Sequence, residues 1–301
     1  VYTADVDNDG FIDIVSTSQE DNQVAWYRNT NGLGVFSTKN IITTNALATN
    51  AVLVTDLNND TTKDIIYTST NEIGWMSNTN GLGTFGTPQV ITTKVFGVRS
   101  IIMADLDGDG LNDLISASKE DDKVAWYKNT DGIGNFGRQN VISRRVEYPN
   151  TVYTGDFDGD GDIDLLINSQ LDAKLSWLEN VNGLGFYGKE HIITENVSTG
   201  NFAHKAHPVD LDGDGDLDIA AIQNSVFFWW ENVDGKGSFT VQHVIQSPSS
   251  ATIVKAADMD GDGMKDLVCG VFSTNKISWY KNLGDGIFGV EQIIKEGSSG
   301  G

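Results

Sequence analysis

Carboxylates recur along this chain at a spacing that suits one kind of chemistry. The string Asp-x-Asp-x-Asp-Gly-x-x-Asp begins at Asp5, Asp105, Asp156, Asp210 and Asp258, and a weakened copy begins at Asp56. Alternate side chains of a tight turn converge on one point, and a hard cation takes six to eight oxygen ligands there. In the first loop the expected ligands are Asp5, Asp7, Asp9 and Asp13, with the backbone carbonyl of Phe11. The third loop offers Asp105, Asp107, Asp109 and Asp113 with the carbonyl of Leu111. The fourth offers Asp156, Asp158, Asp160 and Asp164 with the carbonyl of Asp162, and the fifth Asp210, Asp212, Asp214 and Asp218 with the carbonyl of Asp216. The sixth offers Asp258, Asp260, Asp262 and Asp266 with the carbonyl of Met264. The varied residue at position 7 fits a ligand supplied by the backbone.

The second loop has Asp56, Asn58, Asp60 and Asp64, with the carbonyl of Thr62. It carries Thr61 where the others have glycine, and Lys63 beside it, so the expected count is five or six ions. Solvated turns also favour Asp and Gly. However, carboxylates about 4 Å apart repel by roughly 4 kcal/mol per pair at an effective dielectric near 20, which argues for a cation. Calcium is the expected ion, because magnesium disfavours crowded all-protein cages. An EF-hand is excluded: it needs Glu at position 12, where this chain has Ser16, Tyr67, Ser116, Ile167, Ala221 and Cys269.

The elements that hold these loops repeat with them. Successive loops start 51, 49, 51, 54 and 48 residues apart. About 20 residues after each start comes a Trp-x-x-Asn mark, at Trp26, Trp75, Trp126, Trp177, Trp229 and Trp279. Its asparagines are Asn29, Asn78, Asn129, Asn180, Asn232 and Asn282, and a glycine turn such as NGLGVF follows. Each unit reads as four short β-branched and aromatic strands, in the first unit roughly 1–5, 13–18, 23–29 and 36–44. No sustained helical period is present. Four-stranded units of this length, repeated, predict an all-β fold, a β-propeller of four-stranded antiparallel blades. A pair of sandwiches would not need six near-identical units. The expected blades are about 1–44, 51–93, 100–143, 151–194, 204–246 and 251–295 of one propeller over 1–296, with 297–301 a linker or tail. Six are counted, and a seventh would have to lie outside this chain.

Composition narrows the partners. The 301 residues carry 42 acidic and 20 basic side chains, a formal net charge of −22. Nucleic-acid binding needs clustered Lys and Arg, and an anionic membrane surface would repel this chain. No apolar run approaches the length of a membrane span, so direct insertion is not expected. The one cysteine, Cys269, excludes an intrachain disulfide and reads as a small buried hydrophobe. The chain opens inside an apolar-alternating run, as a mature fragment of a larger secreted protein would.

At these residues the sequence resembles the FG-GAP, or VCBS, repeat family, the calcium-loop propellers of integrin α-subunits. The Asp-loop string, the downstream Trp-x-x-Asn and the glycine turn carry the resemblance over nearly the whole chain. It is similar to the secreted bacterial branch found in Bacteroidetes-type surface proteins, and in plan to fungal propeller lectins. The resemblance implies structural calcium, a secreted or cell-surface setting and a recognition role. The expected function is a non-enzymatic, calcium-stabilised module that binds carbohydrate or adheres, its partner a glycan or a cell-surface protein. A protein-binding adhesion propeller like the integrin head is the alternative, and a polysaccharide lyase the second.

Ligand candidates are sought away from the repeated positions. The six motif tryptophans are expected to pack between blades, and the six asparagines to satisfy backbone groups at strand ends. Trp230 lies outside the pattern. Strand alternation puts the variable blade connections on the face opposite the Asp loops, where recognition usually resides. They contribute Phe96, Arg99, Arg144, Arg145, Tyr148, Phe202, His204 and Lys205. His191 and His243 occupy matching fourth-strand places, and His204 and His207 lie in the longest connection. No catalytic constellation can be assembled from them.

Overall fold

Short alternating runs, broken every few residues by Asp, Asn or Gly, can satisfy their backbone only by pairing with neighbours in sequence. A computed structural model shows that outcome and describes residues 1–195, 206–223, 226–245, 251–271 and 274–297. Blade 1 holds β1 (Tyr2–Ala4), β2 (Asp13–Ser18), β3 (Gln23–Tyr27) and β4 (Asn40–Thr43). Blade 2 holds β5 (Val52–Thr55), β6 (Asp64–Ser69), β7 (Glu72–Met76) and β8 (Gln89–Thr92). Blade 3 holds β9 (Val98–Ala104), β10 (Asp113–Ser118), β11 (Lys123–Asn129) and β12 (Phe136–Ser143). Blade 4 holds β13 (Pro149–Gly155), β14 (Asp164–Ser169), β15 (Lys174–Asn180) and β16 (Tyr187–Thr194). Blade 5 holds β17 (His207–Val209), β18 (Asp218–Gln223), β19 (Val226–Glu231) and β20 (Val241–Ile245). Blade 6 holds β21 (Ala251–Ala257), β22 (Asp266–Val271), β23 (Lys276–Tyr280) and β24 (Gln292–Glu296).

Every sheet is a four-stranded meander in chain order. Among the described residues there is no α-helix, and none long and apolar enough to cross a membrane. The all-β, six-bladed architecture read from the sequence is therefore the one observed. By contact density the chain forms two units, Val1–Pro149 and Asn150–Gly301, each carrying three of these sheets.

The fourth strand of blade 1 departs from the expected 36–44. It starts at Asn40, and Phe36 makes only an isolated bridge to Asn29. The pairing register with β3 shifts between Val24 and Ala25, and the ladder ends at Trp26–Asn40. Blade 4 tolerates the same shift and keeps one strand from Tyr187 to Thr194.

Second and third strands are the most buried, as in β10, whose six residues are all buried. Core clusters join consecutive blades. One unites Val15 and Trp26 of blade 1 with Val52, Ile65 and Met76 of blade 2. Another unites Leu166 and Trp177 of blade 4 with Ile219, Trp230 and Phe239 of blade 5. Trp26, Trp75, Trp177 and Trp229 fill the wedge to the next blade, as expected of the motif tryptophan. A Cβ on Gly83 would lie 2.4 Å from Trp26 Cζ2, and one on Gly237 would lie 2.2 Å from Trp177 Cζ2. In blades 2, 3, 5 and 6 the second glycine of the turn thus makes room for the preceding blade's indole.

Candidate functional site

The loops between first and second strands are organised by their last carboxylate. Asp13 Oδ2 accepts from Val6 N at 3.0 Å and its Oδ1 from Asn29 N at 2.7 Å, tying loop entry to the end of β3. The same pair of bonds is made by Asp64, Asp113, Asp164, Asp218 and Asp266. The first carboxylate caps the turn from the other side: Asp5 accepts from Asp9 N at 3.1 Å and Gly10 N at 2.9 Å. Gly10 has φ +87° with open space beside it, so backbone conformation, not room, is what demands glycine. Thr61 adopts φ 71° at the same position of the second loop, a left-handed geometry that costs a β-branched residue about 1–2 kcal/mol.

Three of the motif asparagines join a loop to the next blade, whereas Asn29 and Asn129 donate to Ile12 O and Asn112 O of their own blades. Asn78 Nδ2 donates to Val6 O at 2.9 Å, Asn232 to Phe157 O at 2.9 Å and Asn282 to Leu211 O at 2.7 Å. A loop held in shape therefore also holds an interblade contact.

Ligand oxygens converge in five loops. Asp5, Asp7 and Asp13 each place one oxygen within 4.8 Å of the others, as do Asp105, Asp107 and Asp113, Asp156, Asp158 and Asp164, and Asp210, Asp212 and Asp218. In the sixth loop the converging set is Asp258, Asp260 and Asp262, and Asp266 stands outside it. Asp9, Asp109, Asp160 and Asp214 are not part of these sets. The second loop forms no such set among the described residues. There Asn58 Nδ2 donates to Asp60 Oδ2 at 2.9 Å and the Thr62 hydroxyl donates to Asp60 Oδ1 at 2.5 Å, so amide and hydroxyl groups do part of a cation's work. At position 7 the side chains turn away from the loop centre. Phe11, Leu111 and Asp162 cover Gly32, Gly132 and Gly183 of their own blades' turns, leaving the backbone as the only donor from that position.

The electrostatics fit a hard divalent cation. Burial pushes Asp164 and Asp218 up to about 7 and Asp113 up to about 6, against backbone hydrogen bonds that pull the other way. Buried Oδ1 atoms of Asp7 and Asp107 have no protein partner. An all-oxygen donor set with unanswered buried lone pairs is what such an ion would complete.

Strand position decides what faces each loop, and the sequence pattern alone did not show it. Pairing of Ile14 with Tyr27 sets the next residue, Arg28, beside Asp13. Arg28 Nε lies 2.5 Å from Asp7 Oδ2 and Nη2 lies 2.9 Å from Asp9 Oδ2. Lys128 pairs likewise with Asp107 and Asp109, and Lys281 with Asp260 and Asp262. These carboxylates hold both ammonium groups above the usual lysine range. The matching residues of blades 4 and 5 are Glu179 and Glu231, whose like charge adds to what raises Asp158 and Asp212, behind desolvation and nearby loop aspartates.

The proposed ligand contacts separate. Trp230 is 5% exposed and lies in the blade 4–5 core with its ring 6.1 Å from Phe228, so it has no open face for a ligand. Phe96 is exposed, and Arg99 Nη1 donates to Asn50 Oδ1 at 3.1 Å. Tyr148 accepts from Lys119 Nζ at 2.7 Å, and Arg144 and Arg145 are exposed beside it in sequence. Phe202, His204 and Lys205 lie outside the described residues.

A second feature was missed. In blades 4 and 5 the residue paired across from the motif tryptophan is histidine: His191 opposite Trp177 and His243 opposite Trp229. The imidazoles stack on the indoles, with centroids 4.4 and 4.2 Å apart and planes 18° and 14° apart. The indoles are 2% exposed, but the histidine side chains are 42% and 39% exposed and present the ring. Each stack borders a cavity, of about 410 Å³ with Phe239 and Thr240 beyond it, and of about 470 Å³ with Phe288 and Val290. The other blades have Asn40, Gln89, Asn140 and Gln292 in that place. The signal was the cross-strand register of the fourth strand, which composition does not reveal.

These repeats match the FG-GAP-like repeat model at residues 5–67, 56–116, 105–167, 156–221 and 210–269, and the chain belongs to that family. The fold is the β-propeller. Among solved structures it is similar to an Agrocybe aegerita lectin that recognises non-reducing terminal N-acetylglucosamine, with TM-score 0.72 and 20% identity over 97% of this chain and 79% of that one. It is also similar to BBS1N in complex with ARL6DN (TM-score 0.61, 11% identity, 97% and 80% covered). A third likeness is to virginiamycin B lyase from Staphylococcus aureus (TM-score 0.57, 12% identity, 97% and 82% covered). No curated protein matches the chain in sequence.

Proposed function

We propose that this protein is a calcium-stabilised, non-enzymatic carbohydrate-recognition module acting outside the cell or at its surface. The observation that carries the reading is the pair of matching cavities, one between blades 4 and 5 and one between blades 5 and 6, each edged by an exposed imidazole backed by a buried indole. A flat ring held rigid by stacking suits the apolar face of a sugar, and the surrounding main chain suits its hydroxyls. The lectin-like fold supports the same reading. Two equivalent shallow sites would each bind weakly and gain strength together on a surface carrying many glycan ends. Calcium fits the oxygen-only loops, and extracellular modules hold it with dissociation constants on the order of 10⁻⁴–10⁻³ M, which matches an external setting.

A glycan array and calorimetry with N-acetylglucosamine-terminated oligosaccharides, in millimolar calcium, test this. The wild-type protein should retain such glycans, and the H191A/H243A double variant should lose retention while keeping the wild-type fold by far-UV circular dichroism. Absence of any retained glycan by folded, calcium-loaded protein would overturn the reading.

A further inference from the structure

The six acidic loops share a backbone but not a charge. Ligand positions plus the facing third-strand residue give four carboxylates and one cation in blades 1, 3 and 6, a local charge of −3. Blade 2 reaches the same −3 with three carboxylates and the neutral Ser77, whose Oγ accepts from Asn58 Nδ2 at 3.2 Å. Blades 4 and 5 place Glu179 and Glu231 there, a fifth carboxylate and a local charge of −5. Asp162 and Asp216 add one more acid on each of these two rims, against Gly183 and Gly235.

We propose that Arg28, Lys128 and Lys281 are tethered counter-cations for the loops of blades 1, 3 and 6, so that demand for a free divalent ion is concentrated in blades 4 and 5. The inference rests on the reading of these loops as cation sites and divides them by strength. The geometry is that of occupancy. Each basic side chain pairs with the position 3 carboxylate, which belongs to the converging oxygen set, and with the position 5 carboxylate beside it. An ion entering such a loop must displace a charge held on the same strand, at a local concentration that no dissolved ion matches. The orphaned Oδ1 atoms of Asp7 and Asp107 leave those two loops able to hold an ion more weakly. No Lys or Arg pairs with Asp156, Asp158, Asp210 or Asp212 among the described ion pairs; the glutamates are faced by imidazoles, Glu231 by His243 at 2.8 Å and Glu179 by His191 at 3.9 Å, so an arriving cation there has no tethered ammonium or guanidinium to displace.

Calcium titration of metal-stripped protein, read by calorimetry and by equilibrium dialysis, tests this. Two sites should fill first, with the remainder weaker by about tenfold or more, as one or two opposed unit charges at short range imply. The E179K/E231K double variant should lose both tight sites, and R28E should gain a third. R28Q, which removes the charge without reversing it, should shift the first-blade site in the same direction and guards against misfolding of R28E. Five or six equivalent sites, or an R28E and R28Q stoichiometry equal to that of wild type, would overturn the division while leaving the loops as cation sites. Absence of calcium binding at millimolar concentration would overturn both.

Discussion

At the scale of the residue, a buried ionisable group shows which state the fold was built around. His207 opens β17 with its ring 6.0 Å from Tyr153 at 75°, and its Nδ1 is buried without a partner. Lys255 stands 5.9 Å above the same tyrosine ring. Burial foremost, and then the Lys255 charge, push the imidazole down to about 4. The unfolded chain therefore takes up a proton below about 6.5 that the folded chain refuses until about 4. The stability His207 allows is complete above pH 6.5 and is lost as pH falls towards 4, by on the order of 3 kcal/mol. The raised loop aspartates act in the opposite sense but equally in both proteins, so H207Q should gain urea resistance relative to wild type as pH falls from 7 to 4.5. An equal pH slope in both proteins would remove that role from His207. The loop aspartates were legible in the sequence because their type and spacing are the chemistry itself. Arg28, Lys128 and Lys281 were not, because each sits at an unspecified position of the Trp-x-x-Asn mark and gains meaning only when strand pairing sets it beside a loop.

Among the elements, the repeating turn is where local conformation and interblade packing meet. Strand existence was legible from alternation and breakers, whereas strand length was not: β4 and β16 share one register shift, yet β4 starts at Asn40 and β16 runs from Tyr187. His191 and His243 were likewise visible as matching positions, but their stacking on Trp177 and Trp229 depends on that register. The turn glycine Gly237 has φ +75° and no room for a Cβ beside Trp177. Gly237→Ala combines left-handed strain with overpacking of an indole that cannot leave its wedge. It should cost about 2–4 kcal/mol, read as a lower urea midpoint in saturating calcium. Gly10→Ala meets the same backbone strain without the clash, so it should cost about 1 kcal/mol. Equal losses for the two would show that the indole contact adds nothing.

For the whole molecule, the net charge of −22 is largely a property of the loops, which hold 23 aspartates at ligand positions, five loops of four and one of three. The tethered cations distribute the need for metal unevenly between the two units. Val1–Pro149 contains the Arg28 loop, the amide-filled second loop and the Lys128 loop, whereas Asn150–Gly301 contains both loops faced by glutamate. A site with a dissociation constant near 10⁻⁴ M contributes roughly 1.4 kcal/mol at about 1 mM calcium, and a tenfold weaker one contributes roughly a quarter to a third of that. Removal of calcium should thus lower the melting temperature of the protein as a whole but loosen its second unit first. Hydrogen exchange read by mass spectrometry, with and without chelator, resolves the order. Amides of β14, β15, β18 and β19 should lose protection at chelator concentrations that leave β2, β3, β10 and β11 protected. Asn232 and Asn282 supply the route for spread, because each donates to the backbone of the preceding blade's loop, Asn232 to Phe157 and Asn282 to Leu211. Simultaneous loss of protection in all six blades would place the ion demand evenly and remove the counter-cations from the account of stability.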